Sequence, residues 1–224
     1  MARALRRWWA SYYRALETHP LTTKCATGFV LLAGGDVTCQ AIEHSHATAA
    51  APADTAAAPP PSWHWDHWRT ARMASMGAII VAPCNHFWIN MLVKRVRRWP
   101  LQVVIDQSVM TPVMVFSCMS WLTMFEHFPN ARAGYDATRD KLAQDYASTV
   151  WSAYAFWPAL QAFNFALVPA PLRVPVLQVG SFCWNTYLSW VCSPVRQQQL
   201  DDDKGSSGDD EKDERALSRR NSYR

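Results

Sequence analysis

Polar and apolar positions along the chain sort into long blocks rather than into short alternating or helical stripes. Four stretches contain no Asp, Glu, Lys or Arg: 73–93, 107–125, 146–172 and 174–195. Crossing a bilayer core takes about 20 predominantly apolar residues, so several of these blocks are long enough to span. A less apolar candidate from about residue 21 to 42 carries Lys24 near its start and Asp36 and Gln40 within it. The pattern predicts an all-α fold, an integral membrane helical bundle with about four transmembrane helices.

The punctuation between blocks gives the order of spans. The second begins after Arg69 and Arg72 and carries Ala74, Ala78 and Ala82 at four-residue spacing, a stripe that lets helices approach closely in lipid. The third follows Lys94, Arg95, Arg97 and Arg98, a basic turn that makes spans two and three a hairpin. A charged, partly amphipathic stretch over 131–146 comes next and is expected to belong to a loop. Residues 146–168 are interrupted by Pro158, Gln161 and Asn164, so they either cross the membrane or lie along its interface. A proline-rich break (Pro169, Pro171, Pro175) around Arg173 precedes the last span, 174–192.

This divides the chain into a basic amphipathic N-terminus (1–20), a membrane bundle (21–195) and a charged tail (196–224) expected to be disordered. An Ala/Pro-rich segment over 44–62 can neither pack a core nor span lipid, and reads as an inserted loop. The positive-inside rule puts the Arg-rich start and the basic turn on one side, and with four spans the tail joins them.

Charge refines the picture. Of 22 Lys/Arg and 18 Asp/Glu, the tail holds 7 and 8, so the net +4 arises in the body, beside the spans. No concentrated basic stripe points to nucleic acid. Among twelve Trp, seven (Trp8, Trp9, Trp63, Trp65, Trp68, Trp99, Trp190) lie near block ends, where an amphipathic ring suits the headgroup layer. Six cysteines are scattered singly, without a disulfide or metal spacing, and read as small packing residues. His44, His46, His64, Asp66 and His67 flank the insert, but a flexible insert sets no coordination geometry, so no metal and no cofactor are expected.

Polar groups inside lipid cost about 2.5–3.5 kcal/mol each at a helix centre and therefore need a reason. The candidates are Asp36, Gln40, His86, Asp106, Gln107, Gln161, Asn164 and Arg173. They either hydrogen-bond between helices, with Arg173 paired to an Asp, or line a water-filled path in which Asp36 and Asp106 set a cation preference. Nucleophile-elbow, zinc-protease, P-loop and dinucleotide-binding patterns are all lacking, which leads us to expect no enzyme.

The order of motifs resembles a known family, that of the mitochondrial Mpv-seventeen protein and the 22-kilodalton peroxisomal membrane protein. The resemblance runs through Pro20, Thr23, Gly28, Gly35, Asp36 and Gln40, then Asp66, Arg69, Arg72, Gly77, Pro83, His86, Trp88 and Leu92, then Asp106, Gln107 and Pro112. It closes with Trp157-Pro158, Gln161, Asn164-Phe165, Val168-Pro169, Arg173 and the run from Trp184 to Trp190. Ala82 and Ile89 depart from the family pattern, as do the insert and the tail.

The resemblance implies a four-span protein of the mitochondrial inner membrane, with the peroxisomal membrane as the alternative. It further implies a weakly selective channel contributing to membrane potential, control of reactive oxygen species and upkeep of mitochondrial DNA and nucleotide pools. A structural or interaction protein without transport is the second function class. The acid-poor Arg start favours the mitochondrion. The expected partners are the lipid bilayer, a second copy in a homo-oligomer, and small solutes or ions, with no nucleic acid bound directly.

Overall fold

The computed structural model describes residues 2–49 and 63–191, and these form helices joined by short turns. Helix α1 (Ala2–Thr18) is followed by α2 (Pro20–Ala49). Next come α3 (His67–Met76), a π-helical turn (Gly77–Val81) and α4 (Ala82–Arg95), which together make one continuous rod. After a short break α5 (Trp99–Ile105), a second π-helical turn (Asp106–Met110) and α6 (Thr111–Glu126) form another. Helix α7 (Ala131–Leu167) is 37 residues long, and a 3-10 turn (Ala170–Leu172) leads into α8 (Arg173–Val191).

Local chemistry places the helix ends. Pro20 opens α2, where a missing N–H costs nothing. Asp66 caps α3, its carboxylate accepting the Arg69 N–H at 2.9 Å, and Asn130 caps α7 through the Ala133 N–H at 3.1 Å. Lys94 and Arg95 close α4 at the end where the helix dipole favours cations. Both rods run through a proline, Pro83 or Pro112, directly after the π turn.

Among the described residues, three helical rods are long and apolar enough to cross a membrane: 26 residues over Pro20–Ser45, 29 over His67–Arg95 and 28 over Trp99–Glu126. They match the first three expected spans. Helix α2 overruns its expected end at residue 42, since residues 43–49 hold neither glycine nor proline and the first proline of the insert is Pro52. The stretch over 131–146 is not a loop. It is the first part of α7, which continues through Pro158 without a break.

The described residues divide into two compact units, one of residues 2–37 and 66–184, the other comprising the described parts of Thr38–Trp65 and Asn185–Arg224. In the second, Cys39 donates to the Asn185 carbonyl at 3.3 Å, and the His44 ring meets Trp63 edge-on. Most of the insert and the whole tail lie outside the described residues, as do Cys192 and the Trp190 side chain.

In the first unit, α2 runs antiparallel to the α3–α4 rod. Lys24 faces His86, Gly28 faces Gly77, and Asp36 faces Arg69 and Thr70. The helices touch backbone to backbone at the two glycines: a Cβ on Gly28 would lie 2.7 Å from the Gly77 carbonyl oxygen. Ala74 and Ala82 of the expected small-residue stripe are buried and Ala78 is half-buried, but the closest approach falls on Gly77. Helix α8 runs alongside α2 in the same direction, with Gln178 against Lys24 and Gly28 and Phe182 against Gly35.

Helix α7 lies antiparallel to the α5–α6 rod. Gly134 meets Met124 and His127, Tyr146 bonds the Pro112 carbonyl, and Gln161 reaches Asp106. Two apolar clusters fill the space between rods: Ile89, Leu92, Phe165, Val174 and Leu177 in one, and Leu32, Met76 and Val81 in the other. Trp8, Trp9, Trp63, Trp65, Trp68 and Trp99 are all exposed, as expected for rings near span ends. Of the cysteines, Cys39 is buried and Cys25 and Cys118 half-buried, whereas Cys84 and Cys183 are exposed and so are not packing residues.

Candidate functional site

Three polar clusters lie inside the first unit. The first is a clasp between α2 and α3. The Asp36 carboxylate, 1% exposed, takes the Arg69 Nε at 2.8 Å on one oxygen and the Thr70 hydroxyl at 2.6 Å on the other. A carboxylate so enclosed would be untenable in lipid alone, and the ion pair with two hydrogen bonds offsets its lost hydration. Gln40 belongs to the second unit, where it is buried.

The second cluster ties three rods together. Asp106, 2% exposed, accepts from the Trp88 Nε1 at 2.8 Å, the Gln107 Nε2 at 2.9 Å and the Gln161 Nε2 at 2.8 Å. Asn164 donates to the Gln161 carbonyl oxygen at 3.1 Å, and Thr111 to that of Gln107 at 3.0 Å. Tyr154 reaches the Gln107 backbone carbonyl at 3.3 Å. Every donor to this carboxylate is neutral, and among the described residues no cation stands within ion-pair distance. The Asn164 Oδ1 is buried without a partner among them.

The third cluster joins α2, α4 and α8. Lys24 places its ammonium 3.0 Å from the His86 Nδ1, and its backbone carbonyl accepts from the Gln178 Nε2 at 2.8 Å. Arg173, expected to pair with an Asp, meets no carboxylate among the described residues. Its Nε and terminal nitrogen donate to the Val168 and Phe165 carbonyls at 3.1 and 3.4 Å, and its guanidinium lies over the Phe165 ring. The proline-rich break leaves those last α7 carbonyls without helical partners, and they capture the arginine.

The structure therefore brings Asp106, Gln107, Gln161 and Asn164 into one network. Asp36 stands in a separate clasp, His86 in a third group and Arg173 at the α7 terminus. None of the two carboxylates singled out for a water-filled path is solvent-accessible in this state.

Charge that is accessible lies elsewhere, on the outer face of α7. Asp140, Lys141, Gln144, Asp145, Ser148 and Ser152 are exposed. The stretch of α7 between Gly134, beside Met124, and Tyr146, bonded to Pro112, runs alongside the charge-free residues 113–124 of α6. Sequence reasoning missed these residues because their charges marked them as loop. The available signal was their spacing: Asp136 and Asp140, and Lys141 and Asp145, recur at four residues, as on one face of a helix.

Comparison with known proteins places this architecture. The model of the Mpv17 / PMP22 family matches residues 131–189, which covers α7 and most of α8. The mitochondrial inner membrane protein Mpv17 of Caenorhabditis briggsae is 32% identical over 132 residues, 56% of this chain and 70% of that protein. The chain belongs to the Mpv17 / PMP22 family. The Mpv17 protein of Caenorhabditis elegans is 27% identical over 80% of this chain and 89% of its own length. A PXMP2/4 family protein of Dictyostelium discoideum is 28% identical over 84% and 92%. No solved structure matches the chain.

As an Mpv17 / PMP22 family member the chain is an organelle membrane protein, and the names of its relatives place it in the mitochondrial inner membrane, with the PXMP2/4 name as the peroxisomal alternative. The family match takes in the Gln161–Asn164 network, the Arg173 turn and the charged face of α7.

Proposed function

We propose that the chain is a non-enzymatic solute-permeation protein of the mitochondrial inner membrane, with five membrane-crossing segments and a hydrated route along the outer face of α7. Through that route it contributes to membrane potential and to the balance of small solutes in the organelle. The fifth crossing is supported by the course of α7, which accompanies the α5–α6 rod from Met124 to Asp106.

The observation that carries the reading is the exposure of Asp140, Lys141 and Asp145 at the level of an apolar span. Charged side chains at membrane depth face water-filled cavities or one another, not lipid. A hydrated groove on α7, closed by a second copy or by lipid headgroups, satisfies them. In this reading Asp36 and Asp106 hold the helices rather than meet solute.

Planar-bilayer recording tests it. Asp140→Asn with Asp145→Asn should leave a folded protein and shift the reversal potential away from cations, since each exposed carboxylate removed lowers the local attraction for them. Asp106→Asn should lower thermal stability without changing selectivity in the protein that survives. Wild-type protein that never conducts would remove the permeation reading and leave the helix clasps as the framework of an interaction protein.

A further inference from the structure

The cluster around Lys24 has no part in the route proposed along α7. Lys24 is 4% exposed, four residues into the first span, and among the described residues it meets no carboxylate. An ammonium donates and cannot accept, so the His86 Nδ1, 3.0 Å away, is the acceptor, and the neutral ring carries its proton on Nε2. The Nε2 edge of the imidazole stands 3.4 Å from the Asn90 side-chain amide one turn along α4, and the ring is backed by a buried positive charge.

His86 and Asn90 line a recess of about 440 Å³ on α4, together with Phe87, Met91, Lys94 and Arg95. His86, Asn90 and Lys94 follow one another at four-residue spacing and make a polar stripe, while Phe87 and Met91 form an apolar stripe beside it and are exposed. Lys94 and Arg95 stand at the end of the span, immediately before Arg97 and Arg98, and none of the four has an acidic partner among the described residues. Cationic and neutral donors therefore converge on an open recess at the boundary of a membrane-spanning helix, next to side chains suited to acyl chains.

We propose that this recess binds the phosphate-bearing headgroup of an acidic phospholipid. Lys94 and Arg95 engage the phosphate beside the His86–Asn90 pair, Lys24 supplies buried positive charge behind it, and the acyl chains lie along Phe87 and Met91. A free phosphate shares the headgroup's chemistry but makes no use of the apolar stripe. The assignment to lipid rests on that stripe and on the position at the end of the span.

The test is a lipid titration of the full-length protein in neutral detergent, read by native mass spectrometry and by melting temperature. Dioleoylphosphatidylglycerol should bind saturably and raise the melting temperature, whereas dioleoylphosphatidylcholine should do neither. A basic side chain near a membrane surface contributes a factor of about five to attraction for acidic lipid, so Lys94→Gln with Arg95→Gln should weaken binding about thirtyfold. Both residues are exposed, so the variant should fold as wild type does, and Arg132→Gln at the start of α7, an exposed residue outside both the recess and the proposed route, serves as the matched control with unchanged binding. Equal affinity of wild type and the double variant would overturn the site. Inorganic phosphate protecting as well as the lipid at equal concentration would overturn its assignment to lipid.

Discussion

The backbone crossing of α2 and the α3–α4 rod makes a prediction whose sign tests the packing. In Gly28→Ala the new Cβ would lie 2.7 Å from the Gly77 carbonyl oxygen and 2.6 Å from the Gln178 Nε2, where 3.4 Å begins ordinary contact. Gln178 can swing away, but the Gly77 backbone cannot, so the helices must part by roughly 0.7 Å, enough to forfeit a quarter or more of the dispersion attraction between facing atoms. Overpacking of this kind costs about 1–3 kcal/mol. Displacing Gln178 from the Lys24 carbonyl adds about 1 kcal/mol. Alanine's better helix propensity returns about 1 kcal/mol, which leaves a net destabilisation near 2 kcal/mol. At about 2–4 °C per kcal/mol for a chain of this size, the melting temperature in detergent should fall by roughly 4–8 °C. Gly34→Ala is the control: among the described residues its Cβ would meet the Phe182 ring first, at 4.0 Å, so the propensity gain should dominate and the protein should hold or rise slightly. Circular dichroism at 222 nm follows both variants. If Gly28→Ala stabilises as Gly34→Ala does, the helices do not cross at Gly28 and Gly77.

Three further outcomes follow from the same contacts. Arg69→Gln removes the cation beside the Asp36 carboxylate and keeps the Thr70 hydroxyl bond; because the Arg69 side chain is 35% exposed, the loss should be about 2–3 kcal/mol, below the 3–5 of a fully buried pair. Adding Asp36→Asn should restore part of it, and a double-mutant cycle with no coupling would show that no pair exists. In a background free of native cysteines, labels at positions 10 and 96 should react from one face and labels at 130 and 210 from the other; reaction of 210 together with 10 would exclude the fifth crossing. Deleting 49–60 or 201–224 should leave membrane insertion and melting unchanged, since neither segment has the apolar pattern that packing requires, and loss of inserted protein would contradict this.

What could be read from the chain alone was decided by whether the signal was local. A charge-free run against a basic turn defines a span whatever its neighbours are, so the rods from His67 to Arg95 and from Trp99 to Glu126 begin and end near where the sequence put them. Asp36 and Asp106 stood out because a carboxylate in an apolar run is conspicuous. Their partners did not, because Arg69 lies 33 residues from Asp36 and Gln161 lies 55 from Asp106, and only the packed rods bring them together. Arg173 was assigned a carboxylate by charge alone, whereas the open carbonyls at the end of α7 were nearer. Helix α7 was misread for the opposite reason. Its charges and Pro158 are local signals for loop and break, and the long apposition to α5 and α6 overrides both.

The two π-helical turns explain how the spans reach these arrangements. A π turn adds a residue to one helical loop, and here the Ala82 N–H returns to the Gly77 carbonyl and the Thr111 N–H to the Asp106 carbonyl. A proline follows each closing residue, Pro83 or Pro112, so the carbonyl its ring would otherwise strike, four residues back, lies within the widened turn. Both rods thus pass a proline without breaking, and in each the first residue of the π turn is the one that meets another helix: Gly77 admits α2, and Asp106 receives Trp88 and Gln161. With Gln161 and Tyr154 holding its inner face to that second turn, α7 has a fixed rotation about its own axis. The same rotation turns Asp140, Lys141 and Asp145 outward, so the buried network and the accessible charges are opposite faces of one helix, and the stability of the first sets the position of the second.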